Sequence, residues 1–190
     1  MKGTGSLKEA TWEQHKKAEE QPFVGMMFGG MLDPESYAVY LYNQIQQYDA
    51  LETVAYEEGL LEDLPDVRRV PGMKKDFEEL WESGAPPLLN VTKEFIAYID
   101  GLDKSDPLYG HKLMSHIYTR HMGDLMGGQM LAQKVPGSSA MYEFADKDAL
   151  KGAIRAKIDD SMAPEVKVAY GFATKTFEEM LPYAKVVHQG

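Results

Sequence analysis

The chain has no cysteine among its 190 residues, which excludes disulfides and thiolate metal centres. No stretch approaches the roughly 18 consecutive apolar residues of a membrane span. The opening Met1-Lys2-Gly3-Thr4-Gly5-Ser6 lacks the apolar core of a signal peptide. These absences lead to the expectation of a soluble, cytoplasmic protein. Basic side chains are in short supply: 20 Lys and Arg against 30 Asp and Glu give a formal charge of −10, which speaks against general nucleic-acid binding. Strand-like alternation, internal repeats, low-complexity tracts and linkers are also missing.

What remains is helical period almost throughout. The length suits one domain over residues 1–190, with a core large enough to need no staples. The pattern predicts a first helix from Leu7 to about Glu20, closed by Pro22. A second begins at Asp33-Pro34 and carries the apolar stripe Tyr37, Leu41, Tyr48, Leu51 and Ala55. Shorter helices are expected over Met73 to Ser83 and over Asn90 to Leu102. A long one runs from Asp106-Pro107 to Pro136-Gly137. Another leads from Ala145 to about Asp160, and the last starts at Pro164 and reaches Leu181. The expected class is all-α.

The long helix contains an anomaly. Within Tyr118-Thr119-Arg120-His121-Met122-Gly123-Asp124-Leu125-Met126-Gly127-Gly128-Gln129, three glycines fall where a helix interior pays roughly 1 kcal/mol for each against alanine. At about 100° per residue, Gly123 and Gly127 share a face with His116 and Arg120, with Asp124 and Gly128 beside it. Glycines four apart also mark a close helix crossing. A crossing has no need of the neighbouring carboxylate or the third glycine, and a flat ligand lying across bare backbone uses both. Met122, Met126 and Met130 are expected to be adaptable core packing. His111, His116, His121 and His188 are expected to be structural or on the surface.

The first helix offers a ligand-bearing face: Lys8, Thr11, His15 and Glu19 follow the three-and-four spacing, with Trp12 and Ala18 nearby. His15 could bind a metal through one ring nitrogen while Glu19 accepts from the other. A lone helical histidine is more often merely half-buried, so the glycine helix is needed as its counterpart.

Charge is spread unevenly. Residues 49–66 hold seven acids and no base, and residues 111–157 hold seven bases and four acids. An anionic ligand or an acidic partner near the glycine helix would suit this pattern, although most such charges are ordinary solvated faces.

Together, Ala10-Thr11-Trp12-Glu13-Gln14-His15-Lys16-Lys17-Ala18-Glu19 and the glycine segment resemble the haem oxygenase family. Met141-Tyr142-Glu143-Phe144-Ala145-Asp146 is similar to a segment of its cyanobacterial and plastid branch. The resemblance implies an all-α fold that holds haem between a proximal and a distal helix. It implies O2- and electron-dependent opening of haem to biliverdin, carbon monoxide and ferrous iron. His15 would be the axial iron ligand with Glu19 behind it. Gly123, Gly127 and Gly128 would let the distal backbone lie near the haem. Asp124, Arg120 and Tyr48 would organise distal waters. Lys8, Tyr118, Lys151 and Arg155 match positions that hold the propionates, in the orientation that gives biliverdin IXα. Two departures stand out: Met126 replaces a usual serine, and Ala173 an asparagine of the last helix. The membrane-anchoring tail of the animal enzymes is absent, so ferredoxin is the expected electron donor and a bilin reductase a conceivable downstream partner. Lys16, Lys17 and the basic 111–157 region would form the docking face, with the acids of 49–66 orienting the encounter by repulsion.

A neutral imidazole lacks the electron push by which thiolate favours O–O cleavage, and a carboxylate can position proton-delivering water without binding iron. A haem or bilin carrier on the same fold would have no use for that relay. A thiaminase-like hydrolase lacks its usual cysteine nucleophile here. A carboxylate di-iron enzyme lacks Glu-xx-His pairs, and a helical adaptor would leave the glycines to packing alone.

Overall fold

The computed structural model describes residues 4–187, which contain ten α-helices joined by turns and longer loops: α1 (Thr4–Ala10), α2 (Trp12–Glu19), α3 (Pro22–Phe28), α4 (Pro34–Glu57), α5 (Val70–Leu80), α6 (Asn90–Asp100), α7 (Tyr109–Ile117), α8 (Gly123–Ala132), α9 (Lys147–Arg155) and α10 (Ala163–Met180). Extended pairing among the described residues amounts to one isolated antiparallel bridge, Leu32 with Val186. The all-α class holds.

Helix α4 is the spine. Asp33 caps it by accepting from Ser36 N at 2.8 Å, and Pro34 occupies its first turn. The stripe of Tyr37, Leu41, Tyr48, Leu51 and Ala55 is buried throughout. α5, α6 and α7 pack around it. The core falls into two apolar clusters. One gathers Leu51, Phe95, Ile99, Leu113, Ile117, Leu150 and Val166, and the other Phe23, Tyr37, Leu41, Met73 and Val91.

Several boundaries differ from the expected ones for local reasons. The first helix breaks at Thr11, whose hydroxyl donates back to Leu7 O at 2.9 Å, an alternative to continuing the ladder. Pro22 opens α3 rather than ending structure, because its missing N–H costs nothing at a first helical position. Asp106 does not cap the long helix directly. It accepts from Leu108 N at 2.9 Å, and α7 begins at Tyr109.

The larger departure lies in the glycine helix, which is not one helix. A π-helical turn, Tyr118–Met122, separates α7 from α8. Ser115 and Thr119 hydroxyls donate to carbonyls four residues back, His111 O and Ser115 O, both at 2.8 Å, and loosen the ladder at this point. The wider turn shifts the helical register. His116 consequently does not share the open face of Gly123: it is fully buried and bonded to Glu165 Oε1 of α10 at 2.9 Å. Nor are all three methionines core. Met122 is buried, but Met126 and Met130 are about three-fifths exposed, at 60% and 61%.

Candidate functional site

Gly123 and Gly127 present bare backbone. A Cβ built on Gly123 would meet nothing within 4 Å, and one on Gly127 only Phe28 Cζ of α3 at 3.9 Å. Internal packing therefore does not require glycine at either position. Gly128 is different: a Cβ there would lie 2.7 Å from the Tyr142 ring. That ring is set by Asp76, which accepts from Ala140 N at 2.7 Å and Met141 N at 3.0 Å and so fixes the 3-10 turn Ala140–Tyr142. Gly128 thus takes part in a helix–turn contact that itself requires glycine, unlike the other two.

A polar cluster lies next to the bare patch. Tyr48 donates its hydroxyl to Asp124 Oδ2 at 2.7 Å. Burial pushes the Asp124 carboxyl up to about 6, against the lowering effect of the His121 charge, the Tyr48 hydrogen bond, and the Arg69 and Arg120 charges. Arg120 turns inward: its Nη2 donates to Gln47 Oε1 at 2.6 Å, and its guanidinium lies 4.2 Å from the Phe95 ring centroid. Gln47 Nε2 in turn donates to Thr92 and Thr176, at 3.1 Å each. The last helix therefore reaches the cluster through Thr176, three residues beyond Ala173. Two buried atoms beside this network have no partner, Arg120 Nε and Gln44 Oε1. Orphans of this kind are sites for ordered water.

On the opposite helix His15 is half-buried. Its Nε2 lies 2.6 Å from Glu19 Oε1, which leaves Nδ1 for a ligand, and a half-turn of the ring exchanges the two. Tyr170 of α10 stacks on the imidazole at 5.2 Å, and Trp12 meets its edge at 5.3 Å. Among the described residues, no group of three or more His, Asp and Glu could hold a metal ion; an iron here would be held by His15 alone and would have to bring its other ligands with it. Helix α10 joins this side to the glycine side by packing on both α2 and the π turn. Burial raises the Tyr170 phenol, and Tyr118 and Glu19 add to the effect. Tyr118 is raised by burial, and Arg155 of α9 pulls it back. Helix α9 packs on the π turn, so Arg155 and Tyr118 lie on elements in contact. Lys8 is exposed, 5.8 Å from the Trp12 ring, and Lys151 is half-buried on α9; no contact links these two lysines to each other.

The expected separation of charge is only partial. Of the basic residues in 111–157, Arg120 is buried, Lys112 pairs with Asp106 at 3.0 Å, and Lys157 pairs at 2.7 Å with Asp63. Asp63 belongs to the acidic stretch, so the two regions touch and do not form opposed faces. Lys16 and Lys17 are exposed. His111 is near Ser161 Oγ at 2.9 Å, and His188 lies outside the described residues.

Sequence reasoning missed Phe28, Tyr170, Gln47 and the buried pair His121 Nε2–Glu52 Oε2 at 2.9 Å. Glu52 was legible only as one of seven acids, yet it sits a turn beyond Tyr48 on the buried side of α4. An ionisable residue in register with an apolar stripe is the signal that would have found it.

An all-α protein with bare helical backbone, a buried carboxylate–tyrosine–arginine network and a histidine on a separate helix is a candidate binder of a large flat ligand. Comparison gives the family: the heme oxygenase family model matches residues 2–169, and the chain belongs to that family. It is similar to heme oxygenase 1 of Synechocystis, 27% identical over 92% of this chain and 82% of the relative. It is also similar to the heme oxygenase of Guillardia theta, 28% identical over 92% and 84%. Among solved structures, Synechocystis heme oxygenase-1 in complex with heme superposes with a TM-score of 0.79 at 24% identity, covering 94% of this chain and 92% of that one. The heme oxygenase of Leptospira interrogans gives 0.78 at 24% identity, covering 94% and 100%. These two share the fold. No helix among the described residues is long and apolar enough to cross a membrane.

Proposed function

We propose that this chain, acting as one haem oxygenase domain, opens haem with O2 and electrons to biliverdin IXα, carbon monoxide and ferrous iron. The observation that carries the reading is the position of Gly123: backbone that packing does not require to be bare, next to an ionisable carboxyl held by Tyr48. Haem supplies the redox-active iron and is itself the substrate.

The chain's own residues have separable tasks. His15 would hold the iron through one ring nitrogen, while Glu19 fixes the ring by accepting from the other. Gly123 and Gly127 keep side chains off the distal face. Asp124, with an acid form still accessible near pH 6, positions water and hands on protons. Arg120, anchored by Gln47, lends positive charge to that water network through its unpartnered Nε. Lys8, Tyr118, Lys151 and Arg155 would pair with the propionates, which would set the in-plane rotation. Reduced ferredoxin serves as donor and meets the exposed Lys16 and Lys17; a soluble bilin reductase would take the product.

Haem added to the purified protein, followed by single turnover with ferredoxin and its reductase, tests the reading. The expected result is a sharp Soret band that gives way to a biliverdin spectrum, with IXα as the isomer on chromatography. A stable band under reductant would make the chain a carrier, and no band would make it an adaptor.

A further inference from the structure

Histidine 121 lies in the π turn, fully buried, and has no part in the functional reading above. Its Nε2 is 2.9 Å from Glu52 Oε2 and its Nδ1 is 3.2 Å from Ile117 O. A backbone carbonyl can only accept. Glu52 is also fully buried and is ringed by donors: Arg69 N at 2.9 Å, Val70 N at 3.4 Å, and Arg68 Nε at 3.5 Å. Burial alone would push the Glu52 carboxyl up. The hydrogen bond and charge of His121 and the two backbone N–H groups outweigh it and leave the carboxyl below its ordinary value. Glu52 is therefore an ionised acceptor. Both ring nitrogens of His121 face acceptors, so each must carry a proton.

We propose that His121 is a buried imidazolium, locked between Glu52 and the Ile117 carbonyl, and that it is a positioning residue whose fixed charge keeps Asp124 ionised and Tyr48 turned toward it. The His121 ring lies 5.1 Å from that of Tyr48, within cation–π range, and Tyr48 carries the hydrogen bond to Asp124. The groups facing Asp124 from each packed element are Tyr37, Tyr40 and Tyr48 of α4, Arg69 before α5, Arg120 and His121 of the π turn, and Tyr142. Among the neighbours that lower the Asp124 carboxyl, His121 is the strongest. Glu52 thus serves the site indirectly: it offsets the desolvation of a cation that a buried histidine would otherwise surrender, and pins it in place. The inference rests on the reading of Asp124 as the distal carboxylate, but its test needs no haem.

The experiment is NMR of the haem-free chain, with 15N-labelled histidine and 13C-labelled aspartate. His121 and Asp124 signals are assigned by H121Q and D124N. Both His121 ring nitrogens are expected to carry protons at pH 7. The Asp124 carboxyl midpoint in H121Q is expected to rise by roughly one pH unit, a tenfold gain in proton affinity. Because H121Q strands a buried carboxylate, E52Q is the second variant. It keeps an acceptor oxygen, and in it the imidazolium signature should give way to a neutral ring at pH 7, with the Asp124 midpoint again raised. A neutral His121 tautomer in the unaltered protein at pH 7 overturns the assignment. So does an Asp124 midpoint unmoved in a folded variant, or an E52Q protein that keeps its imidazolium. If these results hold while haem is not turned over, the functional proposal fails and this one stands.

Discussion

The Tyr48 hydroxyl reaches Asp124 Oδ2 at 2.7 Å across 76 residues of chain, and so ties the spine helix α4 to the first turn of the glycine helix. The tie holds a carboxyl whose proton affinity burial has raised to about 6. A raised carboxyl stabilises the fold below the unfolded value near 3.8, and this contribution is lost as pH climbs through about 6. D124N should therefore be more stable than the unaltered protein at pH 7.5 by about 1–2 kcal/mol, less than the full shift because the group is half-buried. The difference should vanish near pH 3.5. Urea denaturation at the two pH values checks it. In the loaded protein D124N should keep haem affinity within about threefold while biliverdin yield collapses, since its role runs through water.

The glycines should respond in opposite directions to the same change. Gly128→Ala places a methyl 2.7 Å from the Tyr142 ring and should cost about 1–3 kcal/mol by thermal unfolding. Gly123→Ala meets open space and should stabilise the haem-free protein by up to about 1 kcal/mol, because alanine is the better helix former. The same variant should bind haem more weakly. Stabilisation with unchanged haem binding would remove the bare backbone from the proposed site.

His15→Ala should retain haem through the remaining pocket, lose turnover, and recover it when imidazole is supplied. Its stability cost should stay below about 1.5 kcal/mol, since what it gives up is an aromatic stack with Tyr170 and an exposed contact with Glu19. Optical titration with and without imidazole reads both effects.

Electron delivery through Lys16 and Lys17 should weaken with salt, because exposed charges are screened beyond about 8 Å at physiological ionic strength. K16E/K17E should lower the ferredoxin-driven rate about tenfold at low salt, with little change when a small chemical reductant replaces ferredoxin. Stopped-flow rates across a salt series test this. The Lys157–Asp63 pair draws acidic and basic stretches together, so repulsion from residues 49–66 should matter less than the sequence suggests.

Periodicity and caps by themselves determined the helical class and the buried stripe of α4. These features repeat within three to seven residues, where local sterics and hydrophobic register settle the outcome. Only the tertiary structure decided which glycine serves what. Gly123 and Gly128 look alike in sequence and are separated by the arrival of Tyr142, itself placed by Asp76 from another helix. The π turn likewise broke the even 100° register on which His116 was set beside Gly123. Through it His116 turned to Glu165, Arg120 to Gln47, and His121 to Glu52. Each of these pairs joins residues at least 49 positions apart. A buried charge takes whichever distant partner offsets its desolvation, and no local pattern records that choice.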